Sequence, residues 1–328
     1  MSSALKARIV SVGHYLPDDK LTNADLEKLV ETNDEWIRTR TGISERRILK
    51  DPEKATSYMA VEAAKEALQA ANVDPESVNA VIVATVTPDY MFPATACLVQ
   101  KRLGAVNAFG YDILAACSGF VYALSTGAMM IESGRYKRVL VIGADKMSSI
   151  IDYTDRATCI IFGDGAGAVL LEGTTDGTGV MDFIQRCDGD EDELLCMKGG
   201  GSRYPSSHAT VEARMHYITQ DGKTVFKKAT EAMADISLEI MERNQLAPGD
   251  VAWLVPHQAN QRIIDATARR MGVGNDKVMS NIQFYGNTTA ATIPLCLYDW
   301  KDKLQRGDNL ILSAFGGGFT AGSLYLKW

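Results

Sequence analysis

The 328-residue sequence predicts an α/β protein with sheets covered on both faces. Short, wholly apolar runs of strand length alternate with longer runs of helical periodicity, the pattern of strands buried on either side. The length exceeds what one ordinary core fills, so two domains or two fused halves are expected. Segments of the first half also find counterparts in the second.

Taken in order, a helix is expected over 58–71, then a turn at Val73-Asp74-Pro75 and a buried strand over 80–86. A second helix spans 95–103. An apolar strand-like run over 109–116 leads into a helical run over 120–133, and a buried strand follows over 139–144. In the second half, helices are expected over 225–243, 262–271 and 290–304, and strands over 251–255 and 309–314. The helix, proline turn and strand ending at Val86 recur around Leu246-Ala247-Pro248 into Val255. The strand, loop and glycine-rich run over 139–171 is paralleled by 310–324. The turn-rich stretch 172–179 reads as the seam, giving halves 1–173 and 177–328, with an active site expected where they meet.

Composition narrows the function classes. A formal charge of −7 with no basic block argues against a nucleic-acid binder, while leaving room for a local basic patch around a phosphate-bearing ligand. Six cysteines without CxxC pairs or a secreted disulfide spacing fit reduced thiols in the cytoplasm. The first residues lack a signal peptide's apolar core, and no run reaches membrane-spanning length.

Cys117 stands where the run over 109–116 meets the following helical run. A cysteine at a helix start faces unpaired N–H groups and the positive end of the dipole, which favour the thiolate. An isolated cysteine is also a common small buried hydrophobe. His257, in Pro256-His257-Gln258-Ala259-Asn260, follows a buried strand and opens a helix, where α/β sheets place their chemistry. His14, His208 and His216 have polar or strand-edge settings that read as structural or surface. Asn287, in Tyr285-Gly286-Asn287-Thr288-Thr289, reads as a helix cap or as a third member of a Cys-His-Asn cluster suited to acyl transfer. The glycines of Phe315-Gly316-Gly317-Gly318-Phe319 form a tight turn, or bring backbone N–H groups to an oxyanion.

Two further motifs fail their context. Residues 162–168 superficially match a dinucleotide fingerprint, but strand-like Val169-Leu170-Leu171 follows instead of a helix. The acidic run 188–193 hints at a calcium loop, yet Glu193 stands where glycine is needed and Gly199 where glutamate is needed. No metal is expected.

These residues resemble the β-ketoacyl-[acyl-carrier-protein] synthase III family, condensing enzymes of the thiolase fold. Its markers are the run 34–43, Ala115-Ala116-Cys117-Ser118-Gly119-Phe120, the run 162–168, His257-Gln258-Ala259-Asn260, the run 286–291 and the terminal glycines. The resemblance implies a duplicated, five-layered α-β-α-β-α fold, a homodimer, and an acyltransferase that starts type II fatty acid synthesis. Its substrates would be a short acyl-CoA and malonyl-acyl-carrier protein, with no cofactor. An acyl-CoA condensing enzyme of secondary metabolism with the same chemistry is the alternative. The family also implies that Cys117 is the nucleophile, that His257 and Asn287 donate to the enolate oxygen, and that the N–H groups of Cys117 and Gly317 hold the tetrahedral oxyanion. It sets Trp36, Arg40, Thr41, Arg156 and Asn260 along the CoA, Lys227 and Arg262 toward the carrier protein, and Phe92 at the end of the partner subunit's acyl pocket.

Overall fold

A computed structural model describes residues 4–190 and 193–328. Its first main sheet contains β1 (Lys6–Tyr15), β2 (Ala80–Ala84), β3 (Phe109–Ile113), β4 (Arg138–Asp145) and β5 (Gly165–Thr174), in the order β1-β5-β4-β2-β3. Strands β4, β2 and β3 run parallel, while β5 and β1 close the far side antiparallel. The second main sheet contains β6 (Gly179–Cys187), β7 (Trp253–Pro256), β8 (Asn309–Gly316) and β9 (Thr320–Lys327), in the order β7-β8-β9-β6. Here β7 and β8 are parallel, with β9 and β6 antiparallel. A fifth position is reduced to one parallel bridge, Leu254 to Val278.

The helices that matter here are α1 (Asp34–Thr41), α2 (Thr56–Ala70), α3 (Thr95–Leu103), α4 (Gly119–Glu132), α5 (Gly222–Arg243), α6 (Gln261–Met271) and α7 (Thr292–Trp300). They sort by the face they cover. Along β2, Ala80, Ile82 and Ala84 belong to a central core, and Val81 and Val83 to an outer one. The period of two that separates strand faces does this sorting. The central core joins both sheets through α4 and α7, with Phe120, Leu124, Ile293 and Leu297 beside Val141, Leu312 and Leu324. One outer core packs α2 and α3 on the first sheet through Met59, Leu68 and Val99. The other packs α5 and α6 on the second sheet through Met233, Ile240 and Ile263. The result is the five-layered α-β-α-β-α thiolase arrangement. Helix α4 is buried on most of its circumference because sheets flank it on both sides. Each fully buried Leu or Phe there contributes about 1.5–3 kcal/mol of transfer free energy.

Local boundaries differ from the expected ones for traceable reasons. Strand β2 stops at Ala84 because the Val86 N–H turns to the Asp145 carboxylate, at 2.7 Å. Strand β3 stops at Ile113, and the chain then reverses through Ala116 at a left-handed φ of 45°. Helix α5 begins at Gly222, where Asp221 caps it by accepting from the Thr224 N–H at 3.0 Å. The helix expected over 290–304 is shorter, since its start belongs to a 3₁₀ turn, Thr289–Ala291, and α7 ends at Trp300. Residues 165–174 form a strand, so the glycine-rich run before them is no dinucleotide loop.

Among the described residues no helix is long and apolar enough to cross a membrane, and no group of three or more His, Cys, Asp or Glu could hold a metal ion. Glu191 and Asp192 of the acidic run lie outside the described residues.

Candidate active site

The ends of the parallel strands from both sheets meet at one place, where open sheets of this kind expose loops to a ligand. Cys117 sits in a 3₁₀ turn, Ala116–Ser118, that feeds α4. The tip of β8 backs it closely. A methyl group on Gly316 would lie 2.7 Å from the Cys117 nitrogen, so only glycine fits that approach. Gly317 follows, against the Leu195 carbonyl.

At Cys117, burial opposes the thiolate that a place beside a helix start favours. Burial pushes its pKa up to about 12, and the charge of Asp145 adds to this. A hydrogen bond from Asn287 and the cysteine's own N–H only partly oppose the rise.

His257 leaves the end of β7 with its own N–H donated to the Ser313 carbonyl on β8, at 2.7 Å. Its ring is buried, and burial alone depresses it to about 3, so the imidazole is neutral. Nδ1 lies 2.7 Å from Thr292 Oγ1. The Gln258 side chain braces the loop, donating to the Pro256 carbonyl at 2.7 Å and accepting from the Asn281 N–H at 3.1 Å.

Asn287 is stitched to the other half by backbone bonds, its N–H to Ile161 O at 3.0 Å and its carbonyl to the Gly163 N–H at 3.1 Å. The side-chain oxygen accepts from the Thr289 N–H at 2.8 Å. With the oxygen engaged, the amide nitrogen is the end left to meet Cys117. Asn287 is therefore no helix cap, since Thr288 holds the cap position of the 3₁₀ turn; its oxygen braces the approach to that turn and its NH₂ faces the site.

Thr289 is held in turn. Its hydroxyl donates to the fully buried carboxylate of Asp145. Asp145 also accepts from Thr85 Oγ1 (2.9 Å), the Val86 N–H (2.7 Å), the Thr87 N–H (3.2 Å) and Thr87 Oγ1 (3.0 Å). The Ala290 N–H reaches its second oxygen at 3.3 Å. Burial pushes this carboxyl up, and the donors work against that shift. One side chain thus ties the first sheet to the turn carrying Asn287. A second close approach seals the joint, since a methyl on Gly143 would lie 2.3 Å from the Ala290 carbonyl.

Cys117, His257 and Asn287 line one cavity of about 120 Å³, together with Leu195, Met233 and Phe315. Through Ile161, Gln220, Phe226 and Asn260 it continues into a groove of about 670 Å³. Trp36, Arg40, Thr41, Arg156, Lys223 and Arg262 line that groove. The Trp36 ring has the Arg40 guanidinium 5.7 Å from its centre and that of Arg156 at 5.0 Å. Arg262 lies 4.8 Å from the Phe226 ring. A flat aromatic among cations suits a ligand with a planar ring and phosphates.

The other expected residues fall as follows. Asn260 caps α6, accepting from the Arg262 N–H at 2.9 Å and donating to the Arg40 carbonyl at 2.9 Å. The Thr41 hydroxyl donates to its own helix at Ile37 O, 2.7 Å away, so only the rest of the residue lines the groove. Lys227 is exposed and lines neither space, while Lys223, one turn earlier, does line the groove. Phe92 also lines neither, and is 86% exposed. His14 pairs with Glu66 at 2.7 Å and stacks on Tyr298, and His216 meets Thr210, so both are structural. Sequence reasoning passed over Lys223, Asp145, Thr289 and Thr292. The signals present were an aspartate closing an apolar strand and three threonines within 288–292.

Known proteins share this fold and much of this sequence. The family model of 3-oxoacyl-[acyl-carrier-protein] synthase III matches residues 111–189, and that of its C-terminal part matches residues 241–328. The first match includes Cys117, and the second His257 and Asn287. A β-ketoacyl-[acyl-carrier-protein] synthase III of Chlorobium chlorochromatii is 60% identical over 328 residues, 99% of this chain and 100% of that one. The crystal structure of 3-oxoacyl-[acyl-carrier-protein] synthase III from Aquifex aeolicus superposes with a TM-score of 0.90 at 44% identity, covering 98% and 100% of the two chains. The priming β-ketosynthase of the R1128 polyketide pathway gives 0.91 at 33%, covering 100% and 97%.

Proposed function

The chain belongs to the 3-oxoacyl-[acyl-carrier-protein] synthase III family, and on that premise we propose how its residues share the chemistry. It is an acyltransferase of fatty acid initiation. It condenses a short acyl group from acyl-CoA with malonyl-[acyl-carrier-protein], giving 3-oxoacyl-[acyl-carrier-protein], CoA and carbon dioxide.

Cys117 is the nucleophile. Its sulfur attacks the thioester carbon, the bond to the CoA sulfur breaks, and the thiol proton leaves with CoA. The N–H groups of Cys117 and Gly317 hold the oxyanion of the tetrahedral intermediate. Malonyl-carrier protein then loses carbon dioxide, and its electron pair moves into an enolate whose oxygen takes hydrogen bonds from His257 and Asn287. The enolate carbon attacks the acyl-cysteine, and the released sulfur takes a proton from water. The steps balance without a further cofactor.

The observation that carries this reading is the convergence of Cys117, His257 and Asn287 on one cavity that opens into a cationic, tryptophan-bearing groove. Trp36 would stack on the CoA adenine, with Arg40, Thr41 and Arg156 along the nucleotide and phosphates and Asn260 on the tunnel beside His257. Arg262 and Lys227 would meet the acidic carrier protein. Incubation with acyl-CoA followed by intact-mass measurement tests the first step. Wild type gains the acyl mass and Cys117→Ala gains none; acylated Cys117→Ala would remove Cys117 from the role.

A second copy of the chain would complete the acyl pocket. Strand β3 is an unpaired edge of its sheet, and Leu114, Tyr90, Met91 and Phe92 stand exposed near its ends and on the loop after β2. An apolar edge of this kind favours association. Phe92 would close the partner's pocket and favour short starters, since extra methylenes in a filled pocket cost about 1–3 kcal/mol. Phe92→Thr should raise activity on branched or longer acyl-CoA relative to acetyl-CoA while the protein sediments as a dimer. An unchanged substrate profile in a dimeric variant would refute this. We also read residues 1–173 and 177–328 as two thiolase-like halves, supported by the matching strand orders, and the protein as cytoplasmic.

A further inference from the structure

The His257 ring has one hydrogen-bond partner among the described residues, and that partner bears on its tautomer. The ring's single polar contact among the described residues is Nδ1 to Thr292 Oγ1, at 2.7 Å. A threonine hydroxyl has one hydrogen to give. Two acceptors lie within its reach, His257 Nδ1 and the Thr289 carbonyl at 3.0 Å. That carbonyl already accepts the backbone N–H of Thr292. Were the hydrogen given to the carbonyl instead, Nδ1 would have to carry a hydrogen of its own and donate it to Oγ1. The ring nitrogen is the nearer of the two, and the carbonyl already holds one hydrogen bond.

We propose that Thr292 is a positioning residue whose hydroxyl donates to His257 Nδ1, fixing the neutral ring as the Nε2–H tautomer that donates into the cavity. Burial keeps the ring neutral, so one nitrogen carries hydrogen and the other does not. In the opposite arrangement Nδ1 would donate to the hydroxyl, and Nε2 would turn a lone pair toward the enolate oxygen. Thr292 cannot easily swing away. It opens α7 directly after the turn whose first residue, Thr289, is anchored on Asp145. Its branched Cβ also restricts rotation about χ1. The consequence for catalysis rests on the reading of His257 as a donor to the enolate; the tautomer itself does not.

The test uses the full-length protein labelled with ¹⁵N-histidine. With only four histidines, His257 is assignable by loss of its signals in His257→Gln. Long-range proton–nitrogen correlation should show a protonated Nε2 and a bare Nδ1. A protonated Nδ1 in wild type overturns the proposal. In Thr292→Val, which keeps the volume and removes the donor, the preference for Nε2–H should be lost. Malonyl decarboxylation should then fall about tenfold, less than deleting a donor outright, while Cys117 acylation stays within about twofold. Thr292→Ser should restore both readouts; a serine variant as impaired as valine would contradict a role for the hydroxyl. If valine does not fold, the wild-type spectrum still decides. An Nε2–H ring alongside undiminished decarboxylation in His257→Ala would uphold the tautomer and refute the donor reading.

Discussion

Two turns of the molecule have the same shape and opposite tasks. Ala116–Ser118 feeds α4, and Thr289–Ala291 feeds α7. Each opens on a non-glycine residue in the left-handed region, Ala116 at φ 45° and Thr289 at φ 49°. Cys117 in one turn stands where Ala290 stands in the other. The difference lies opposite the second N–H. Across from Ala290 N–H is the Asp145 carboxylate, at 3.3 Å. Across from Cys117 N–H is Gly316, which has no side chain. The N–H that holds a structural anion in one half is, on the proposed mechanism, left for a transient one in the other. One turn is locked, and its rigidity aims Asn287 and Thr292; the other is open, and on the proposed mechanism carries the nucleophile.

Filling the open turn should have the largest effect. Gly316→Ala puts a methyl 2.7 Å from the Cys117 nitrogen. Acylation by acyl-CoA should fall about a hundredfold or more, because the oxyanion position and the nucleophile's backbone are both displaced. Near-normal acylation would mean that the two turns do not differ in the way described.

Unlocking the closed turn comes next. Asp145→Asn keeps the shape but turns one oxygen into a donor that faces hydroxyls and N–H groups. Decarboxylation should drop by about tenfold to a hundredfold as Asn287 loses its support, and stability should fall by about 1–3 kcal/mol. A pH measurement sharpens the point. Burial pushes the Cys117 pKa up to about 12, so its alkylation rate in wild type should climb about tenfold per pH unit through the neutral range without a plateau. Removing the Asp145 charge removes one cause that raises this pKa. The thiolate fraction at any fixed pH then increases, and alkylation should quicken. Slower alkylation in Asp145→Asn would reverse the sign assigned to that carboxylate.

Away from both turns the effects should be small. Arg40→Ala and Arg156→Ala each remove one exposed cation beside Trp36. KM for acyl-CoA should rise a few-fold at unchanged kcat. A fall in kcat with constant KM would move these residues from binding to catalysis. Asn260→Ala removes a helix cap and should lower Tm by about 2–4 °C.

The open turn was largely legible in the sequence, and the closed one was not. Cys117, His257 and Asn287 each follow or precede a run whose type is plain from local pattern, so their convergence was readable. Asp145 acquires its meaning from Thr289, 144 residues away, and no local pattern announces such a pair. The opposing pull on the thiolate was hidden for the same reason. The helix start is local, but the burial that outweighs it comes from tertiary packing. Lys223 was missed because α5 starts at Gly222, three residues before its apolar periodicity begins. The five layers followed from the resemblance, whereas the shrinkage of the fifth strand to a single bridge at Val278 is a detail of packing.

Separating the two half-reactions in one pair of variants tests the division between the turns most directly. In His257→Ala and Asn287→Ala, transfer of the acyl group from acyl-CoA to Cys117, followed by intact mass, should stay within a few-fold of wild type. Release of carbon dioxide from malonyl-carrier protein should fall about a hundredfold or more. Equal loss of both steps would mean that these residues serve Cys117 itself, and that the two turns share one task.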